Sequence, residues 1–374
     1  MDGSRNLRSA TTPLLLLAAI ILASALLTPS ARAQDQAQPI VATVGVGDGP
    51  AGIACDAAKG AVFVTDLLNK TVSVISDATN AVVATVKVGS NPAGDVYDPS
   101  KGEVFVTNAL DNATSVISDS TDAVVATVKV GAGPTGIAYD AARGEVFVAN
   151  YLSGSVSVIS DSTNSVVATV GVGHYPYAPT YDSAKAEVFV TNALDNTTSV
   201  ISDATDAVVA TVKVGGGPTG AAYDSAKGEV FVANYLGGTI SVISDETNAA
   251  VATVKVGTNP TGVAYDSSNG EVFVTDGGNG TVSVISDATN AVISTVKVGS
   301  DPSGADYDSS KGEVFVANNG DNSVSVISDA SLSSTSSTVP EFPTAYLAGV
   351  ALVVVAAVGF ASRRFHLERP SGIS

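Results

Sequence analysis

One 42-residue pattern occurs seven times in the chain, and it limits the possible folds more than any other feature of the 374 residues. An Asp recurs at this spacing, at Asp56, Asp98, Asp140, Asp182, Asp224, Asp266 and Asp308. A Phe follows seven places later in every copy, from Phe63 to Phe315. A fixed period of this length indicates a supersecondary unit that stacks on its neighbours. We therefore expect seven equivalent modules.

Each repeat contains four short apolar segments that are typical of β-strands. In the third repeat they include residues 136–139, 145–148 and 156–159, which are rich in Val, Ile, Phe and Tyr. Gly, Asp, Asn, Ser and Pro lie between the segments and favour tight turns. Four strands in 42 residues are the content of one propeller blade. The sequence therefore predicts an all-β, seven-bladed β-propeller with four-stranded blades.

Three residue types have a defined place in such a blade. Asp140 begins the first turn, where its side chain closes an Asx-turn, and Gly144 supplies the positive φ that the turn needs. Phe147 and its equivalents are expected to fill the space between blades. Small residues such as Gly136 and Ala138 suit the crowded centre, where seven sheets converge.

The two ends of the repeat region complement each other. The repeats begin with an unpartnered strand at residues 40–44, and the seventh repeat stops after its third strand, Ser323 to Ser328. Seven blades have seven fourth strands only if the first strand of the region completes the last blade. We therefore expect the N-terminal strand to close the ring, which removes the edges that an open stack exposes.

Both termini have the composition of export and anchoring segments. Residues 1–33 combine basic residues, an apolar run and Ala-Arg-Ala, which predicts a signal peptide, with an uncleaved anchor as the alternative. The propeller at 40–329 is followed by a Ser/Thr-rich linker at 330–338. Within residues 339–364, an uncharged stretch of 18 residues at 344–361 precedes Arg363 and Arg364. This order predicts a transmembrane helix, with the propeller outside and residues 365–374 in the cytoplasm.

The motif before the apolar stretch resembles a known sorting signal. Pro340, Glu341 and Phe342, followed by a transmembrane run and a basic tail, resemble the PEF-type C-terminal signals of archaeal surface proteins. This resemblance implies recognition by a sortase-like membrane enzyme and transfer to another anchor. The alternative is an ordinary membrane anchor that keeps the propeller on the outer surface.

The repeats also resemble a known family. The segment Val-Phe-Val-Thr-Asn or Val-Phe-Val-Ala-Asn ends at Asn108, Asn150, Asn192, Asn234 and Asn318, with Asp66 and Asp276 at the same place in two repeats. Pro-x-Gly before the first strand and Tyr-Asp after it complete the pattern. Residues 40–329 are thereby similar to the YVTN family of β-propeller repeats in prokaryotic surface and surface-layer proteins. The resemblance implies the fold, because the shared residues are those that build a blade.

Charge and cysteine content exclude some partners. Residues 40–329 contain 12 basic and 32 acidic residues, a net charge of −20. A nucleic-acid partner is excluded because binding to phosphates needs the opposite charge. The single cysteine, Cys55, stands where the other repeats have Tyr, and we interpret it as a small buried substitute rather than a reactive thiol.

The sequence offers little for catalysis, a cofactor or a metal. His174 and His366 are the two histidines, too few for a haem or copper centre with several imidazole ligands, and the absence of Trp argues against a stacked quinone cofactor. The seven Asp at the first turns are expected to shape turns rather than bind metal. A surface enzyme of the lactonase or lyase type would need polar residues at the channel mouth, and only Asp95 and Asp306 interrupt the apolar first strands. We therefore predict no catalytic, cofactor or metal site.

The fourth repeat departs most from the others, and its departures mark a candidate binding patch. His174, Tyr175 and Tyr177 occupy the loop before its first strand, which reads Tyr-Pro-Tyr where the neighbouring repeats read Gly-Pro-Thr. Tyr151 and Tyr235 lie in the second hairpins of the flanking repeats, which propeller topology places on the same face. The five side chains are expected to stack a sugar ring or bind a partner chain. The alternative is repeat drift, with Tyr covering a surface seam.

The second hairpin also contains four N-glycosylation sequons. They begin at Asn69, Asn112, Asn196 and Asn279. The sequence as a whole predicts a non-enzymatic propeller, exported and anchored at the extracellular face of the membrane. It is expected to serve as an envelope, surface-layer or adhesive component that binds protein or carbohydrate.

Overall fold

The structure is a computed structural model, and it describes residues 39–330. The predicted signal peptide at 1–33, the sorting motif Pro340-Glu341-Phe342, the transmembrane stretch and the tail lie outside the described residues, as does the linker beyond residue 330. Residues 39–330 contain no helix of the length and apolar character that crossing a membrane requires.

The described residues form 28 strands in seven four-stranded sheets. Their bounds, blade by blade, are β2 (Pro50–Asp56), β3 (Ala61–Asp66), β4 (Thr71–Ser76) and β5 (Ala81–Lys87) in blade 1; β6 (Pro92–Asp98), β7 (Glu103–Asn108), β8 (Ala113–Ser118) and β9 (Ala123–Lys129) in blade 2; β10 (Pro134–Asp140), β11 (Glu145–Asn150), β12 (Ser155–Ser160) and β13 (Ser165–Gly171) in blade 3; β14 (Pro176–Asp182), β15 (Glu187–Asn192), β16 (Thr197–Ser202) and β17 (Ala207–Lys213) in blade 4; β18 (Pro218–Asp224), β19 (Glu229–Asn234), β20 (Thr239–Ser244) and β21 (Ala249–Lys255) in blade 5; β22 (Pro260–Asp266), β23 (Glu271–Asp276), β24 (Thr281–Ser286) and β25 (Ala291–Lys297) in blade 6; and β26 (Pro302–Asp308), β27 (Glu313–Asn318) and β28 (Ser323–Ser328) with β1 (Ile40–Gly45) in blade 7.

Neighbouring strands of every sheet are antiparallel. Six sheets contain four consecutive strands, and the seventh has the order β1-β28-β27-β26. In that sheet Ile40 lies opposite Ile327 and Gly45 opposite Ser323. The prediction of an all-β, seven-bladed propeller with four-stranded blades is confirmed.

The apolar core lies between the blades. All seven Phe of the second strands have no exposed surface. Phe231 of blade 5 packs against Val272 and Val274 of blade 6, and Phe315 of blade 7 packs against Ile53 of blade 1. Burying one such ring contributes about 1.5–3 kcal/mol. The phenylalanines therefore fill the inter-blade space, as predicted.

Glycine is required where the first strands approach one another at the centre. A Cβ added to Gly220 would lie 2.2 Å from the Thr261 carbonyl oxygen, and one added to Gly304 would lie 2.2 Å from that of Ala51. Both distances are far below van der Waals contact. The expectation of small residues at the centre is thus confirmed.

The first turns have the predicted geometry. Asp56 Oδ1 accepts the backbone N–H groups of Ala58 and Lys59, at 3.0 and 2.9 Å, and Gly60 follows with a φ of 70°. Blade 4 differs, because Ala186 stands at the glycine position with a φ of 57°.

The propeller has two different faces. The loops between blades lie beside the second hairpins, since Tyr151 N–H donates to the Gly133 carbonyl oxygen at 3.0 Å. We call this side the loop face. The first and third turns lie together on the opposite side, the turn face, where Asp161 N–H donates to Gly144. The described chain enters β1 and leaves β28 at the turn face, because Ile40 and Ile327 are paired there.

Charge is distributed unequally between the faces. The turn face carries the seven Asp that end the first strands, the seven Asp from Asp77 to Asp329 that follow the third strands, and the six Glu that open second strands. Six basic residues lie in its first turns. Most of the net negative charge therefore lies on the face from which both chain ends leave.

Candidate functional site

Four tyrosines from three adjacent blades form one group on the loop face, which we call the tyrosine cluster. The ring of Tyr175 stacks on that of Tyr151, with centroids 4.5 Å apart and planes inclined by 8°. Tyr177 meets Tyr151 edge-on at 6.4 Å. Burial raises the pKa of Tyr177, and the nearby Tyr151 and Tyr235 raise it further. Stacked and edge-on pairs are each worth about 0.5–1.5 kcal/mol.

The backbone of Tyr175 is strained. Its φ is 55°, in the left-handed region. The equivalent residues of the other six blades are Gly49, Asn91, Gly133, Gly217, Asn259 and Asp301, the types that adopt this conformation most readily. A bulky side chain in this region costs about 1–2 kcal/mol, and such strain is concentrated at functional sites.

His174 lies beside the cluster and is paired with an acid. Its Nδ1 is 3.0 Å from Asp195 Oδ1, and its backbone N–H donates to Asp195 Oδ2 at 2.7 Å. The backbone donor, followed by the ring, lowers the pKa of Asp195. The His174 side chain is 76% exposed, so the pair forms the outer margin of the cluster.

The loops around the cluster are largely apolar. Among the described loop-face residues 132–133, 151–154, 173–175, 193–196, 216–217 and 235–238, the acid is Asp195, and Lys255 donates from the end of β21 to the Gly237 carbonyl oxygen at 3.2 Å. Exposed leucines lie at the second hairpins of blades 1 to 5, at Leu68, Leu110, Leu152, Leu194 and Leu236. Blades 6 and 7 have Gly278 and Gly320 there. The loop face thus presents an apolar arc that includes the tyrosine cluster.

The four sequon asparagines are all exposed, but they occupy two adjacent positions of the hairpin. Asn112 Oδ1 accepts the backbone N–H of Gly133, and Asn196 Oδ1 that of Gly217. Asn69 and Asn279 lie one residue earlier, and their Oδ1 atoms accept from Asp48 and Thr258. Each of these bonds uses Oδ1, whereas a glycan is attached through Nδ2.

Asp95 is buried in the interface between blades 1 and 2. It is 9% exposed, and neither carboxyl oxygen has a hydrogen-bond partner among residues 39–330. Its Oδ1 lies against Gly52 of blade 1, 2.4 Å from where a Cβ on that glycine would be. Burial raises the pKa of Asp95 well above its usual value, and the charge of Asp306 raises it further.

Asp306 lies on the other side of blade 1, in the interface with blade 7. It accepts the backbone N–H groups of Cys55 and Tyr307, each at 2.9 Å. Burial raises its pKa to about 6 despite these bonds. Cys55 is half-buried rather than fully buried, and burial, followed by Asp306, raises its pKa well above the usual value.

These acids do not form a pocket with a basic group. Neither Asp95 nor Asp306 has a salt bridge within the described part of the chain. Two crevices of about 430 and 410 Å³ lie at the outer side of blades 2 and 6, and neither is lined by these acids or by the tyrosine cluster. Among residues 39–330, no group of three or more His, Cys, Asp or Glu side chains is placed to hold a metal ion.

Comparisons with known proteins agree with the fold. The NHL repeat family matches residues 258–285, which lie in blade 6. A search of the curated proteins finds no match. Many solved structures are similar, among them Kuenenia stuttgartiensis Hydrazine Synthase, with a TM-score of 0.69, 18% identity, and coverage of 75% of this chain and 96% of that chain. At this identity the likeness concerns the fold alone. The chain is a β-propeller repeat protein.

Proposed function

We propose that this protein is an exported cell-surface propeller of the YVTN type that acts as a non-catalytic binding module of the envelope. The observation that carries the proposal is the strained Tyr175, which stacks on Tyr151 where six other blades have Gly, Asn or Asp. The cost of the left-handed tyrosine is comparable to the stacking energy, so stability alone does not favour it. A ligand that contacts the ring of Tyr175 explains why a tyrosine occupies this position despite its cost.

The ligand that fits the tyrosine cluster is an uncharged sugar ring, with an apolar segment of a partner protein as the second candidate. Tyrosine faces stack on the apolar faces of sugars and supply hydroxyl groups at their margins. The neighbouring loops carry almost no charge, and the exposed leucines extend the apolar contact area. An adhesive or surface-layer role follows from binding of either kind.

The position of the chain ends supports an outward-facing cluster. Both ends of the described chain leave from the turn face, opposite the tyrosines. With a signal peptide at 1–33 and an anchor at 344–361, whether permanent or exchanged by a sortase-like enzyme at Pro340-Glu341-Phe342, the loop face points away from the membrane. The exposed sequon asparagines would place glycans on this same face. Mass spectrometry of the native protein tests this arrangement, because bare asparagines and intact termini contradict glycosylation and processing.

The binding proposal is tested by returning blade 4 to the residues of the other blades. Tyr175→Gly and Tyr177→Thr introduce residues found at these places in blades 3 and 5, so the fold is expected to be retained. Two aromatic contacts of about 1 kcal/mol each correspond to a loss of about 10- to 30-fold in affinity. The full-length protein is assayed on a glycan array and in cell adhesion, with Asn259→Gly as the matched control in blade 6. Unchanged binding by the double variant would refute the role of the cluster.

A further inference from the structure

Two buried aspartates meet at the turn face on each side of blade 4. One ends the first strand of a blade, and the other follows the third strand of the next blade. Asp140 and Asp203 form such a pair between blades 3 and 4, and Asp182 and Asp245 form one between blades 4 and 5. All four side chains are at most 8% exposed. Carboxyl groups that are largely excluded from water therefore face each other across both interfaces.

A single tyrosine hydroxyl lies between the two carboxyl groups of each pair. Tyr181 OH donates to Asp203 Oδ2 at 3.4 Å and also lies close to the Asp140 carboxyl group. Tyr223 has the same place in the next pair, and its OH donates to Asp245 Oδ2 at 3.1 Å. A hydroxyl has one proton to donate. In both pairs, Oδ2 of the first-strand aspartate is left without a hydrogen-bond partner among residues 39–330.

Other interfaces have a second hydroxyl where these two have a methyl group. Ser100 Oγ lies 3.1 Å from Tyr139 OH between blades 2 and 3, and Ser268 Oγ lies 3.0 Å from Tyr307 OH between blades 6 and 7. The equivalent residues in the first turns of blades 3 and 4 are Ala142 and Ala184. A methyl group donates no hydrogen bond, so the pairs beside blade 4 lack one donor.

The nearby cations do not take the place of this donor. Arg143 makes two hydrogen bonds to Glu145, at 3.0 and 3.2 Å, and Lys185 forms no ion pair within residues 39–330. Between blades 5 and 6, by contrast, Lys227 Nζ lies 3.8 Å from Asp287 Oδ1. The other charged groups around the two pairs are acids, namely Glu145 and Asp206 at the first and Glu187 and Glu229 at the second.

Burial and the approach of the two carboxyl groups act in the same direction. Burial raises the pKa of Asp203, and the charge of Asp140 raises it further. Burial also raises the pKa of Asp245, and the charge of Asp182 adds to this effect. The tyrosine hydroxyl and the adjacent basic side chain oppose these effects only in part. Two buried carboxyl groups this close do not ionise together, so one of them retains a proton.

We propose that each pair shares one proton, so that blade 4 is joined to blades 3 and 5 by a proton at each interface. A protonated carboxyl group has an O–H donor, which supplies the hydrogen bond that the pair lacks. Loss of the proton leaves two buried negative charges facing each other, and the adjacent blades repel. Blade 4 is thus held by contacts that form in acid and weaken as the pH rises. The pairs lie on the turn face and are independent of ligand binding at the tyrosine cluster.

The direction of the pH dependence follows from the raised pKa of Asp203 and Asp245 in the folded state. The contribution of each pair to stability is complete below the unfolded pKa, about 4, and is lost as the pH rises through the folded pKa. Over this range the folded state binds one more proton per pair than the unfolded state. The equilibrium constant of unfolding therefore rises by up to about tenfold per pH unit for each pair.

Replacing one aspartate of each pair by asparagine tests this dependence. Asp203→Asn and Asp245→Asn, combined in the full-length protein, remove one titrating group per pair and leave an amide that donates to the remaining carboxylate. Denaturant unfolding from about pH 4 to pH 8 should show a rise in the unfolding constant that is smaller than that of the wild type by up to about 100-fold per pH unit. The matched control combines Asp161→Asn with Asp329→Asn, at the interfaces that contain a serine hydroxyl, and should show at most a small part of this effect. A pH profile of the test variant equal to that of the wild type, or an equal effect of the control, overturns the proposal.

Supplying the missing donor tests the same idea without removing an acid. Ala142→Ser with Ala184→Ser, both at exposed positions, introduces the hydroxyl that the other interfaces contain. Both carboxyl groups of a pair can then ionise, so the pH dependence should decrease as in the asparagine variant. Infrared spectroscopy at about pH 5, where an ordinary aspartate is ionised, should detect about two more protonated carboxyl groups in the wild type than in either variant. An equal number of protonated carboxyl groups in all three proteins overturns the proposal.

Discussion

Replacement of Asp95 by valine is expected to stabilise the propeller. The carboxyl group lies in an apolar interface, with both oxygens unbonded within the described residues. Blades 1, 3 and 6 have Ile53, Ile137 and Val263 at the equivalent position, so a branched apolar side chain fits there. Removing an unsatisfied buried polar group gains about 1–3 kcal/mol. For a domain of this size the expected rise in Tm is about 2–5 °C at neutral pH.

The gain in stability from Asp95→Val depends on pH, and the direction of this dependence follows from the raised pKa of Asp95 in the folded state. Burial raises the pKa of Asp95 in the folded state, so the unfolded state ionises first as the pH rises. The wild type therefore has its full stability from this group below the unfolded pKa, near 4, and loses it as the pH rises towards the folded pKa. Valine does not titrate. The difference between variant and wild type should grow from pH 4 to pH 8.

Thermal unfolding at several pH values measures both effects. Asp306→Val is the matched control, because Asp306 is also an acid of a first strand, partly buried, but accepts two backbone N–H groups. Its replacement leaves these donors without their acceptor, so a smaller gain or a loss of stability is expected. An Asp95→Val variant that is less stable than the wild type at pH 7.5, or whose effect is independent of pH, would refute the reasoning.

Three further substitutions test other features of the turn face. Ala186→Gly should raise the free energy of unfolding by about 1 kcal/mol, because it relieves a left-handed alanine. The reverse change at the equivalent position of blade 5, Gly228→Ala, should lower it, since the added Cβ would lie 2.6 Å from Asp245 Oδ1. Denaturant unfolding measures both changes. Burial, with the charges of Asp266 and Asp329, raises the pKa of Glu271 to about 7, so the wild type loses stability as the pH rises from about 4.5 through 7. Glu271→Gln should be about 2 kcal/mol more stable at pH 8 and show little gain at pH 4.5, and equal gains at both values would contradict this.

The period and the residue types at each turn were sufficient to predict the fold. Seven copies without slippage determine the number of blades, and Asp56 with Gly60 determines the turn, because these effects are local. The tyrosine positions were also found from the sequence, since departures from a repeat are visible in one chain. The left-handed backbone conformation of Tyr175 could not be predicted from the sequence, because tyrosine rarely adopts this conformation.

Contacts between repeats were harder to predict. The sequence identified Asp95 and Asp306 as exceptions to the apolar first strands. It did not show that they differ in hydrogen bonding, because this depends on whether a neighbouring backbone N–H reaches the carboxyl group. The sequence does not distinguish the sequons, yet Asn112, in a left-handed conformation, accepts from the loop that follows its blade, whereas Asn279, one hairpin position earlier, accepts from the loop that precedes its blade. Cys55 is only half-buried, because blade 7 covers it on one side.

The departures from the repeat are concentrated in residues 171–186. Within this stretch Gly171 replaces a lysine at the rim, Tyr175 and Tyr177 replace small residues on the loop face, and Ala186 replaces glycine on the turn face. Left-handed positions elsewhere in the described chain hold Gly, Asn or Asp, with Lys70 as the exception, whereas this stretch holds a tyrosine and an alanine. Each costs about 1–2 kcal/mol. Random drift would distribute such costs over seven equivalent blades, so their accumulation in one stretch supports the proposal that blade 4 carries the binding site.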